Sequence, residues 1–341
     1  MNKERILYYD IMNVMACIAV IALHHNGLVH SFTDTAAWKQ SLWVECGAYW
    51  AVPIFLMLSG ATLLDYRKKY STKTFFFKRF TRVLIPWICW SIIILAIKVI
   101  RGAATIDSFQ LKTFLDLFFN NKIESTYYYF GALIACYFAM PVFSLLTDNR
   151  KILWYVVALN FVFVSINTLV KNYGGITWNL DIPVVGSYFI FVCLGFLLDR
   201  EIIPRKTRCF LYVLGVFMMI FRYICTCYYS AIERKMYTPI QGYVQFHSVI
   251  FAVAMFVFIK NIPWNDILSE KIKKILPVVS KYSFGIYLMH RQVMMLETKI
   301  TGLTPERFLW RVVMIPVTYL ICLMAVAFIS KVPIVRKTIG C

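Results

Sequence analysis

Apolar residues run through this chain in long blocks separated by short polar stretches. Windows long enough to cross a bilayer recur at 8–30, 45–64, 83–100, 127–147, 151–170, 184–199, 208–228, 243–260, 282–298 and 309–330. The pattern predicts an all-α polytopic protein of about ten transmembrane helices. No internal repeat, low-complexity tract or soluble segment interrupts it, so residues 1–341 are expected to form a single transmembrane domain.

The first window carries a polar seam. At 100° per residue, Asn13 and His24 point within about 20° of each other and Asp10 lies about 40° from His24, with Cys17 on the same face. His25 is turned about 100° away, in register with Val14, Ile18 and Ile21. Polar groups at bilayer depth are costly and are kept for function or for helix packing. His24 is therefore the expected functional histidine and His25 the bystander. His24 sits about 24 Å along its helix, so Asp10, about 21 Å away, cannot orient it directly.

Composition agrees with the pattern. The chain is 60% apolar, 17% aromatic and 16% charged, where a soluble domain carries about 25% charged residues. The net charge of +19 is a topology signal rather than a nucleic-acid signal. With the N-terminus inside, 23 Lys and Arg fall in inner segments and 11 in outer ones, the inner set including Lys3, Arg5 and seven residues from Arg67 to Arg82. Both termini are thus expected in the cytoplasm. Nothing resembles a cleavable signal peptide. Most of the ten cysteines lie in or beside apolar windows without Cys-x-x-Cys spacing, which makes packing their default role. No metal-ligand spacing, phosphate-binding glycine loop or nucleophile elbow is present.

Two further groups carry candidate chemistry. Lys78, Arg79 and Arg82 fall at spacings of three and four, one cationic helix face just before Pro86. They read either as a positive-inside anchor against lipid phosphates or as a clamp for a phosphate-bearing cofactor. Glu45 opens the second window and could be an acid facing His24, or a solvated carboxylate favoured by the helix dipole. Arg222, His290 and Arg291 are further ionisable groups inside apolar windows, where packing or snorkelling competes with a pocket role.

Four segments together resemble the acyltransferase-3 family of integral-membrane enzymes that modify bacterial surface glycans. They are Tyr9 to His24 (YDIMNVMACIAVIALH), Val52 to Leu64 (VPIFLMLSGATLL) running on to Phe77 to Pro86 (FKRFTRVLIP), Tyr188 to Gly195 (YFIFVCLG) and Tyr282 to His290 (YSFGIYLMH). The resemblance covers nearly the whole chain. It implies a ten-helix core in a bacterial plasma membrane that takes an acyl group, usually acetyl from acetyl-CoA inside, and passes it to a sugar hydroxyl of a surface or lipid-linked glycan near the outer side. By position His24 matches the family's essential histidine, and Arg79 and Arg82 match its basic pair. Asn13 departs from the pattern, since many members have an arginine there, and Thr126 stands where many have a histidine.

The residues make a coherent expectation beside that resemblance. The nucleotide head of an acyl-CoA would meet Lys78, Arg79 and Arg82, its arm would pass Asn13 and Cys17, and His24 would act as general base, with acylation of the imidazole as the covalent alternative. The expected partners are acyl-CoA, a glycan or lipid-linked sugar, and membrane lipid, with no nucleic acid and no metal. Self-association is left open. The competing class is a multi-span exporter or transporter in which the seam is a permeation path, although no inverted repeat supports it.

Overall fold

The computed structural model describes residues 6–176, 182, 186 and 188–340, and all regular structure among them is helical. Lys3 and Arg5, and residues 184, 185 and 187 of the predicted sixth window, lie outside the described residues. Twelve helices position the site. These are α1 (Leu7–His25), α2 (Ala36–Ala48), α3 (Ala51–Leu63), α4 (Thr72–Arg79), α5 (Ile85–Ile100) and α6 (Tyr128–Phe143). They continue as α7 (Arg150–Asn160), α8 (Phe189–Arg200), α9 (Arg205–Glu233), α10 (Phe246–Lys260), α11 (Glu270–Thr301) and α12 (Met314–Ile329).

Seven helical segments among the described residues are long and apolar enough to cross a membrane: Leu7–His25, Ala36–Lys68, Thr72–Ile100, Ser125–Leu146, Arg150–Lys171, Arg205–Glu233 and Leu309–Ile329. The other three predicted windows also fall on helices, which are shorter or more polar. From Phe189 the sixth lies on α8, 12 residues long; from Phe246 the eighth lies on α10, 15 residues long; the ninth lies within α11, whose 32 residues include many charges.

Local chemistry sets several ends. Thr35 caps α2 by accepting from the Trp38 N–H, and Ser71 caps α4 by accepting from that of Thr74. α11 closes on Gly302, whose φ of +67° suits a residue without Cβ. Pro86, in the first turn of α5, has no N–H, and its ring crowds the carbonyl four residues back. The helical ladder widens there into a π turn over Phe80–Leu84, which carries Arg82.

The packing is that of a bundle facing lipid. α9 exposes Phe210, Val213, Phe217 and Ile224 and buries Gly215, Arg222, Thr226 and Ser230. An apolar exterior around buried polar groups is the inverse of a water-soluble helix. At the centre α3 packs against α8 so closely that a Cβ on Gly60 would lie 1.9 Å from the Val192 carbonyl oxygen, and one on Gly195 1.9 Å from that of Met57. Only glycine permits that approach of two backbones.

Segments assigned to one side by the basic-residue count converge on one end of the bundle. Asp199 accepts from Tyr8 and, at 2.6 Å, from Tyr9, while Arg200 meets Asp65 at 3.0 Å. Lys260 donates to the carbonyls of Leu198, Asp199 and Glu201 at the end of α8. Lys68 reaches Asp148 at 2.6 Å, and the C-terminal segment docks here through Thr338, whose carbonyl accepts from Trp90 at 3.0 Å.

Candidate active site

The seam on α1 meets a matching row on α11, 267 residues away at its first contact. Asn13 Nδ2 donates to the Ser280 carbonyl at 2.7 Å and to Ser280 Oγ at 3.1 Å. Cys17 Sγ lies 3.7 Å from the Ser283 carbonyl. Further along, the rings of His24 and His290 stack with centroids 5.0 Å apart and planes 30° from parallel. Ser280, Ser283, Tyr287 and His290 follow helical spacing, so two faces, rather than isolated residues, come together.

His290 is buried and its Nδ1 is 2.7 Å from the Tyr287 carbonyl. A carbonyl only accepts, so Nδ1 carries the hydrogen and the Nε2 of the neutral ring is left with a lone pair. Nε2 has no hydrogen-bond partner among the described residues. In the sequence His290 is one of several ionisable groups for which packing competes with a pocket role, and its signal is its place at the end of the Tyr282 to His290 segment.

A cavity of about 520 Å³ opens at the basic end beside this seam. Asp10, Asn13, Arg79, Arg82, Lys281 and Tyr287 are among its walls. Tyr137 lines it beside Arg79 and hydrogen-bonds to it, yet Arg79 Nε is buried and has no partner among the described residues. A guanidinium N–H held in that state suits an added phosphate oxygen. Tyr287, also in its wall, has its ring 5.5 Å from the ring of His290, which in turn stacks on His24. Tyr287 is fixed by donating to the Thr126 carbonyl at 2.9 Å, which gives Thr126 a positioning role through its backbone.

The remaining predicted residues are placed differently. Lys78 does not line the cavity; its Nζ sits 4.3 Å from the centre of the Tyr70 ring. The predicted three-cation face is thus two cations at the cavity and one outside it. Glu45 is not offered to His24. Its Oε1 is 2.5 Å from Arg222 Nη2, both residues are buried, and the guanidinium lies 3.6 Å from the centre of the Tyr49 ring. Arg222 also donates to Gln241 Oε1 at 2.6 Å. His25 faces away from the seam, as its helical register predicts. Its Nε2 is 2.8 Å from Thr318 Oγ1, which donates to Glu297 Oε2 at 2.5 Å, and its ring packs 4.5 Å from Trp310.

A family model of an acyltransferase domain, acyltransferase-3, matches residues 6–330. The chain belongs to the acyltransferase-3 family. With its apolar helices, membership makes this acyltransferase-3 chain a multi-pass membrane protein. Among curated proteins and among solved structures no match was found. Within the acyltransferase-3 domain the matched region takes in the α1 seam, the cationic turn before Pro86 and α11, three of the elements that line the cavity.

Proposed function

We propose that this acyltransferase-3 protein transfers an acyl group, acetyl in the first instance, from acyl-CoA at the cytoplasmic side to a hydroxyl of a surface or lipid-linked glycan at the outer side of a bacterial plasma membrane. In this reading ten spans cross the bilayer and both termini are cytoplasmic, in keeping with the distribution of basic residues. One observation supports it: the cavity lined by Arg79 and Arg82 is also lined by Tyr287, whose ring is 5.5 Å from that of His290, itself stacked on His24.

Arg79 and Arg82 would take the phosphates of the donor, with the unpartnered Nε of Arg79 supplying one of the bonds. The thioester arm would pass Asn13 and Tyr287. His24 then accepts the proton of the sugar hydroxyl as its oxygen attacks the thioester carbonyl. Collapse of the tetrahedral intermediate breaks the C–S bond, and the proton returns from His24 to the sulfur, giving the ester and free CoA.

The test is acyl transfer by the purified full-length protein from radiolabelled acetyl-CoA to glycans of a bacterial envelope extract. Label appearing in an alkali-labile glycan ester, and absent without the protein, is the expected result. A folded protein that binds no CoA and releases no thiol under these conditions would overturn the reading.

A further inference from the structure

A second cavity, of about 510 Å³, lies at the opposite end of the bundle from the basic one. Its walls include Asn26, Lys39, Gln40, Trp43, Tyr223 and Arg311. Trp43 is 48% exposed and meets the Tyr223 ring edge-on at 5.1 Å, which presents a broad aromatic surface to anything seated there. Arg311 is buried. It donates to Gln40 Oε1 at 2.5 Å and to the carbonyls of Pro305 and Glu306, all neutral acceptors. Glu306, exposed, is near enough to interact with Arg311 but does not line the cavity.

Asn26 points to the ligand. Its residue is fully buried, and Nδ2 donates to the carbonyls of Ala22 at 2.9 Å and Arg311 at 3.0 Å. Those two acceptors fix which end of the amide is nitrogen, because the reverse orientation would set oxygen against oxygen. Oδ1 is left buried with no partner among the described residues, and Asn26 is one of the residues lining the cavity. A buried acceptor without a donor is destabilising unless something supplies one. A ligand hydroxyl would supply it.

We infer that this cavity binds a pyranose ring carrying a negative charge. The ring's C–H face would lie on Trp43, a hydroxyl would donate to Asn26 Oδ1, and the anionic substituent would sit toward Lys39 and Arg311. The lining holds these two cations and no carboxylate among the described residues, although Lys39 also pairs with Asp34 at 2.8 Å. The assignment deepens the acyl-transfer reading, on which it rests for its role as the acceptor site. Asn26 follows His24 by two residues, so the cavity lies at the level of the proposed base, although the two are about 200° apart around the helix and His24 is not in its wall.

The experiment is a ligand-observed NMR titration of the full-length protein in phosphatidylcholine nanodiscs, without donor, using methyl β-glucuronide and methyl β-glucoside as probes. The glucuronide should bind saturably and at least tenfold more tightly than the glucoside. Trp43→Ala, at a half-exposed position, and Val312→Trp, which fills the cavity from an exposed wall residue, should each weaken it at least tenfold while CoA binding is unchanged. Absence of saturable binding, equal affinity for the two glycosides, or binding indifferent to both substitutions in CoA-competent protein would overturn the inference. Loss of glucuronide binding when phosphatidylglycerol is added would make this a lipid-headgroup site and would also overturn it. Saturable binding that responds to both substitutions, in a protein that transfers no acyl group, would sink the acyl-transfer reading and leave the sugar site standing.

Discussion

His24 and His290 stack at 5.0 Å between helices whose residues are separated by most of the chain, and His290 offers a bare Nε2 because Tyr287 holds its Nδ1 hydrogen. The contact joins the α1 seam to α11 beside Tyr287, which lines the basic cavity. Only His24 of the adjacent pair takes part in it, since His25 is committed to Thr318 and Trp310.

His24→Ala should therefore remove acyl transfer by a factor on the order of 10²–10⁴, the usual contribution of a positioned general base, with CoA binding retained. Activity of the wild type should fall on the acid side as the imidazole takes up a proton. His25→Ala should keep most activity and lower thermal stability instead. Transfer rates and melting curves of the two variants separate the roles, and a near wild-type rate in a folded His24 variant would remove this site from consideration.

Arg79→Ala and Arg82→Ala should each weaken donor binding by about 1.5–3 kcal/mol, the scale of a hydrogen bond to a charged group. Lys78→Ala should leave it near wild type, because that ammonium rests on Tyr70 outside the cavity. Calorimetric titration with CoA reads the difference. Equal effects of all three would return the segment to a general membrane anchor.

Glu45 should prove structural. Removing one member of a buried ion pair costs about 3–5 kcal/mol because the other charge is left unpaired, whereas replacing both with apolar groups of similar size is often neutral. Glu45→Ala should thus fold poorly and Glu45→Leu with Arg222→Met should recover. A stable Glu45→Ala protein that is catalytically dead would instead support a role in the chemistry.

Gly60→Ala and Gly195→Ala should each disrupt the α3–α8 contact by at least the roughly 3 kcal/mol upper end typical of overpacked cores. Gly131→Ala in α6, where a new Cβ meets nothing within 4 Å, should be neutral or slightly stabilising. Detergent unfolding curves decide the matter, and equal behaviour of the three would rule out backbone contact as the role of Gly60 and Gly195.

Reporter fusions after Lys331 and near Gly174 should read cytoplasmic and external respectively. Reversed signals would invert the proposed direction of transfer.

The membrane class, the helical windows and the grouping of Asp10, Asn13, Cys17 and His24 are legible along the chain, since helical period and burial cost are local properties. The separation of His24 from His25 followed from the same 100° step. What answers that seam was not legible: Ser280, Ser283 and His290 lie more than 260 residues on, and no periodicity says which helix packs against which. The same holds for Glu45, whose ionic partner Arg222 is 177 residues away. Lys78 left its expected face because a long flexible stem takes whichever aromatic ring the fold brings near, here Tyr70. Spacing along one helix fixes direction, but only tertiary packing supplies the partner, and a buried charge is defined by its partner.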